Sequence, residues 1–169
     1  MDDLNDTLAG HRDAVAALLA IADRCGSAWM TPRAPGKWSP SQLVEHVAVS
    51  LDEAANVVSG RPSKFPALPF FVRPVLRVLL FNRVLKNGAF PKARTSKPFN
   101  PAVGPATPAE ARVRLEAALA RFDRQCRARA EAEDSVSSAT FGVVRLTDYA
   151  RFIELHTRHH TKQMPSRDA

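Results

Sequence analysis

Cysteine is scarce in this sequence. The chain of 169 residues holds two, Cys25 and Cys126, and their wide separation matches no metal-binding spacing. Long apolar runs are missing as well: no uncharged stretch approaches the roughly 18 residues that a membrane span needs. The opening "MDDLND" is acidic where a secretory leader would be basic and then apolar, so no leader is read. The expected location is therefore the cytoplasm, with both cysteines as buried thiols in a reducing compartment. There is no glycine-rich phosphate loop, no internal repeat and no strand-like alternation of any length. What is present suits one globular domain over residues 1–169, with 45% hydrophobic and 24% charged residues.

Acid is absent from a whole segment. Between Ala54 and Ala109 there is no aspartate or glutamate, while nine basic residues fall there: Arg61, Lys64, Arg73, Arg77, Arg83, Lys86, Lys92, Arg94 and Lys97. Taking those nine from the net charge of +7 leaves −2 for the rest of the chain. The basicity thus belongs to one region and not to the surface at large.

Helical periodicity organises the remainder. A first helix is expected from about Asn5 to Cys25, with Leu8, Val15, Leu18 and Leu19 on its apolar face and Gly26 as its stop. A second opens at "SPSQ": Ser39 caps, Pro40 takes the first helical position and Gln42 reaches back as in a capping box. It runs to about Val58 before Gly60 and Pro62. A third opens with the same grammar at "TPAE", from a Thr107 cap to about Ala130. A fourth follows "FGVVRLT", with Thr147 as cap, from Asp148 to about Gln163. Residues 60–108 hold nine of the thirteen prolines, and within them "RPVLRVLLFNRVLKNG" (73–88) predicts a shorter helix. The expected fold is all-α: a four-helix bundle with a long helical crossover between helices two and three.

Three of the five histidines crowd into "HTRHHTKQ", residues 156–163. At about 100° per residue, His156 and His160 share a sector with Tyr149, Phe152, Ile153 and Gln163. Arg151, Glu154, Arg158 and Lys162 fall on the far side. The histidines therefore continue the core-facing stripe, where imidazoles need partners. His156 and His160 stand four apart, the spacing at which two rings on one turn share a metal ion. His159 lies at the flank, as a bystander or a support to the ligands. His46, at the edge of helix two's apolar arc, is the candidate third ligand. Ser50 and Glu53 share its side. Three histidines without a fourth protein ligand leave room for water or substrate, as in catalytic sites. The glutamate of "HExxH" is missing, which excludes the zinc-protease pattern. His11 is expected on the solvent side of helix one, without a role.

"GKWSPSQLVEHV" and, far downstream, "FGVVRLTDYARFIELHTRHHTKQ" resemble the DinB/YfiT-like family of metalloenzymes, and within it a subgroup of unknown function. The resemblance implies a four-helix bundle with one divalent metal, zinc or nickel foremost, held by His46, His156 and His160. It also implies a small-molecule substrate, either a thiol of the bacillithiol or mycothiol type transferred to an electrophile or a compound hydrolysed by activated water. Glu53 would serve as general base in either case. Any lid must come from the crossover. Its basic residues do not gather on one face, which speaks against a membrane-surface helix, and it lacks a nucleic-acid reading motif. Cations at a pocket mouth favour an anionic substrate, and a crossover helix apolar all round wants covering, as in a homodimer. The competing readings are a non-catalytic helical binding module, with a closed or empty site, and a basic protein that binds nucleic acid or a membrane surface with the histidines incidental.

Overall fold

The computed structural model describes residues 2–91 and 95–165. Lys92 and Arg94, two of the nine basic residues of the acid-free segment, lie outside the described residues. The chain is mostly helical, with one small sheet. Its long helices are α1 (Asp2–Ala22), α2 (Pro40–Val58), α5 (Pro108–Ala132) and α6 (Leu146–Thr161). The crossover between α2 and α5 carries the short helices α3 (Arg73–Leu76) and α4 (Arg83–Asn87), joined by a π-helical turn over Arg77–Asn82. Gly88 closes this run with φ 65°, a left-handed conformation that suits glycine.

The starts of α2 and α5 follow from their caps. Ser39 accepts from Gln42 N and returns a full capping box, with Pro40 in the first turn. Thr107 accepts from Glu110 N at 3.1 Å. These contacts occupy amide donors that the first turn of a helix leaves without intrahelical partners. Helix α2 packs most extensively on α5 and α1 on α6, with α1–α5 and α2–α6 contacts completing the arrangement. Leu8, Leu18, Leu51, Leu115, Phe122 and Leu146 are fully buried between them. Phe81 and Val84 of the crossover are also buried, Phe81 lying against Phe141 and Phe152. No helix among the described residues is long and apolar enough to cross a membrane.

Four sequence expectations need correction. The chain does contain strands: β1 (Ser135–Ser138) and β2 (Gly142–Arg145) pair antiparallel. Four residues each is too short for alternation to declare itself, but Val136 and Val144 face each other across the ladder and both are buried. Second, Thr147 is not the cap of α6. The strand runs straight into the helix, so extended Arg145 is the cap and Thr147 is buried inside the first turn. Third, Glu154 is not on a solvent face; it is 0% exposed. Helix α6 packs on α1 as well as α2, and Glu154 points into the α1 contact, matched by Arg151 and Arg158 (2.7 Å). Fourth, His11 is also fully buried. It lies on the same α1–α6 seam, with Nε2 3.1 Å from Thr157 Oγ1 and its ring edge-on to Phe122.

Candidate metal centre

The end of the crossover is sewn to the start of α2, and this fixes His46. Gln42 Nε2 donates to the carbonyls of Pro101 (3.0 Å) and Ala102 (3.1 Å). Ser41 Oγ donates to Pro105 O at 2.7 Å, and Trp29 Nε1 donates to the same carbonyl at 2.9 Å. Gly104 presses so closely that a Cβ there would sit 2.3 Å from the Ser41 carbonyl oxygen, so only glycine fits. Trp38 Nε1 donates to Asn100 Oδ1, and its indole lies over the His46 ring at a centroid distance of 4.7 Å. The segment so placed presents the Phe99 carbonyl 2.7 Å from His46 Nδ1.

That contact decides the tautomer of His46. A carbonyl can only accept, so Nδ1 carries the proton and Nε2 of the neutral ring is left with a lone pair. His160 is set in the same way: its Nδ1 donates to Gln163 Oε1 at 3.0 Å. The amide of Gln163 in turn donates through Nε2 to His159 Nε2 at 2.9 Å. His159 therefore supports a neighbour instead of joining the cluster.

The lone pairs converge. His156 Nε2 lies 3.3 Å from His46 Nε2 and 3.1 Å from His160 Nε2. One ligand atom from each of the three rings falls within 4.8 Å of the other two. His156 can offer at most one proton to this meeting point, while His46 and His160 offer none. A cation with ligand bonds of about 2.0–2.1 Å and tetrahedral angles would hold its nitrogens roughly 3.3 Å apart, close to the observed spacings. The donor set fits a divalent metal.

Electrostatics agree with the geometry. Burial, the largest cause in each case, lowers the pKa of His46, His156 and His160. The Phe99 carbonyl partly offsets this for His46, and the neighbouring rings push His156 well below the usual imidazole range. His160 is brought down to about 3 by burial and then by His46. All three rings are neutral at neutral pH, the form in which imidazole can bind a metal. Phe90, at the end of the crossover helix run, stands edge-on to His156 and lies 5.5 Å from both His156 and His159, so the crossover forms one wall of the site.

Glu53 is not one of the three converging groups. It is 7% exposed, but its Oε2 accepts from Lys64 N at 2.9 Å and Asn56 Nδ2 at 3.2 Å, with Lys64 Nζ 3.6 Å from Oε1. These contacts hold the first residues of the crossover. Sequence reasoning missed the Phe99 carbonyl and the Phe90 wall, because each is delivered by a proline-rich segment without periodicity. The Trp-Ser-Pro stretch did signal Trp38 and the cap, though not the tilted packing of Trp38 on His46.

Comparison with known proteins places the chain in a family. The family model of the DinB superfamily matches residues 7–164, and the chain belongs to that superfamily. No curated protein and no solved structure matches it significantly.

Proposed function

We propose that this member of the DinB superfamily is a four-helix bundle, folded as one domain, that binds one divalent cation through His46, His156 and His160 and acts on a small molecule. The observation that carries this reading is the convergence of the Nε2 lone pairs, two of them fixed by the Phe99 carbonyl and Gln163. Imidazole ligands suit zinc and nickel. A cation held there would lower the pKa of a thiol or a water that reaches it.

The residues of the chain do the rest. His46, His156 and His160 supply three ligands and leave an open position for substrate. Trp38 and Phe90 pack against the rings and limit the access of water. The basic crossover draws anionic substrates, and thiol transfer or hydrolysis is the reaction class. For Glu53, expected as a general base, we assign a positioning role: its carboxylate tethers Lys64 and so the start of the crossover.

The test is a screen of low-molecular-weight thiols with electrophiles, and of hydrolysable esters and amides, using zinc-loaded and nickel-loaded protein. Metal-dependent turnover that disappears in His156→Ala and survives in Glu53→Gln supports the assignment. Loss in Glu53→Gln with the crossover still protected from protease would return Glu53 to proton transfer.

A further inference from the structure

The crossover helix has two apolar sides, and the core uses only one. Phe81 and Val84 are buried, while Phe71, Val75, Val78 and Leu79 are 54–67% exposed and Phe70 is 80% exposed. Val75, in α3, and Val78 and Leu79, in the π-helical turn, form an apolar stripe that faces away from the protein. Val143 of the β1–β2 hairpin, 59% exposed, lies beside Phe70 at the start of this run.

The segments around this stripe carry positive charge and no acid. Arg73 and Arg77 line a shallow cavity of about 310 Å³ together with Phe70, Phe141, Gly142 and Val143. Arg73 Nε donates to Leu68 O at 2.8 Å and Arg77 Nη1 donates to Val143 O at 2.9 Å. Each guanidinium has five N–H donors, so these contacts place the two heads and leave donors for an anion. Arg83 and Lys86 are exposed beside the stripe. No acidic residue occurs between Ala54 and Ala109 or from Ser135 to Thr147, the two segments that build this face.

We propose that this face docks on the surface of a lipid bilayer that contains anionic lipid. The basic residues do surround the helix, as the sequence indicated, but folding sorts its apolar residues into a buried side and an outward one. The outward stripe with a cationic border is the pattern of an interfacial helix. Anionic lipid meets both features, with acyl chains for Phe70, Phe71, Val78 and Leu79 and phosphates for Arg73 and Arg77. A second copy of the chain would set these cations against their own kind with no acid between them. Nucleic acid would leave the valines and leucine of the stripe without a partner. The proposal does not depend on the metal centre.

The experiment is vesicle co-sedimentation of the full-length protein, with phosphatidylcholine alone and with 7:3 phosphatidylcholine to phosphatidylglycerol. Binding to the anionic vesicles at least tenfold tighter than to the neutral ones is expected. It should fall at least tenfold in Val78→Asp/Leu79→Asp and severalfold in Arg73→Gln/Arg77→Gln. Val78, Leu79 and Arg77 are exposed and Arg73 is half-buried, and circular dichroism checks that the helices persist. Equal binding to both vesicle types, or none, would overturn the proposal. So would a dimer at micromolar concentration that Val78→Asp/Leu79→Asp dissociates while vesicle binding is absent; the face would then be a self-association surface. Salt-sensitive binding to duplex DNA that ignores the apolar substitutions, without vesicle binding, would also overturn it.

Discussion

Helix α6 buries polar side chains on two sides, and the two sides differ in kind. Toward α1 lie Glu154, Thr157 and Arg158, facing Gly10 and His11. There, donors and acceptors are matched: Arg158 donates to Glu154 and to the Gly10 carbonyl (3.1 Å), and the Thr157 hydroxyl meets His11. One atom, His11 Nδ1, has no partner among the described residues. Toward α2 lie His156 and His160, facing His46, and there three ring nitrogens meet with at most one proton among them. The first side ties α6 to α1 through these contacts and serves the fold. On the second side three ligand atoms converge, and that convergence, more than burial or histidine count, is what a divalent cation could use.

The largest effect should come from breaking the α1 side. Arg151→Ala/Arg158→Ala leaves the fully buried Glu154 carboxylate without its cations, and the expected cost is about 3–5 kcal/mol in urea unfolding. The same double substitution should leave zinc stoichiometry unchanged in whatever fraction stays folded. A loss near zero would mean that Glu154 escapes to water and that the α1 side is not a closed pair.

Zinc should stabilise the wild type and separate the two sides. At free zinc a hundredfold above the dissociation constant the gain is about 2.7 kcal/mol, read as a rise in the thermal midpoint. His156→Ala should lose this gain, and His11→Asn should keep it. Gln163→Ala, which frees the orientation of His160, should weaken zinc binding by roughly 10–100-fold without abolishing it.

A smaller effect per step concerns pH in the metal-free protein. His11 is pushed down to about 3 by burial and then by the Arg158 charge, and His160 is also lowered to about 3. The unfolded chain, with imidazoles near 6.5, binds more protons than the folded one between those values. Stability is therefore full above pH 6.5 and falls as pH drops from 6.5 toward 3, by about 1.4 kcal/mol per pH unit for each such group. His11→Asn should flatten that slope by one group's share. Zinc should steepen it, because protons compete with the metal for the α2 side alone.

Much of this was legible in the sequence, and the reasons are local. Caps announced α2 and α5 because Ser39, Gln42 and Thr107 act within four residues. The ligand candidates His46, His156 and His160 followed from helical faces. The α1 side was not legible: Glu154 and His11 look like surface residues until α1 and α6 are brought together across more than a hundred residues. The hairpin hid because its strands are four residues long. The Phe99 carbonyl could not be read either, since backbone acceptors carry no sequence signal and its place depends on Gly104 and Gln42 holding the crossover.

The most direct measurement is a calorimetric zinc titration of tag-free, chelator-treated protein. One ion per chain is expected for the wild type, for His11→Asn and for His159→Ala, with none or greatly weakened binding for His46→Ala, His156→Ala and His160→Ala. No binding by the folded wild type, or binding that survives in all three of those variants, would contradict the three-histidine centre.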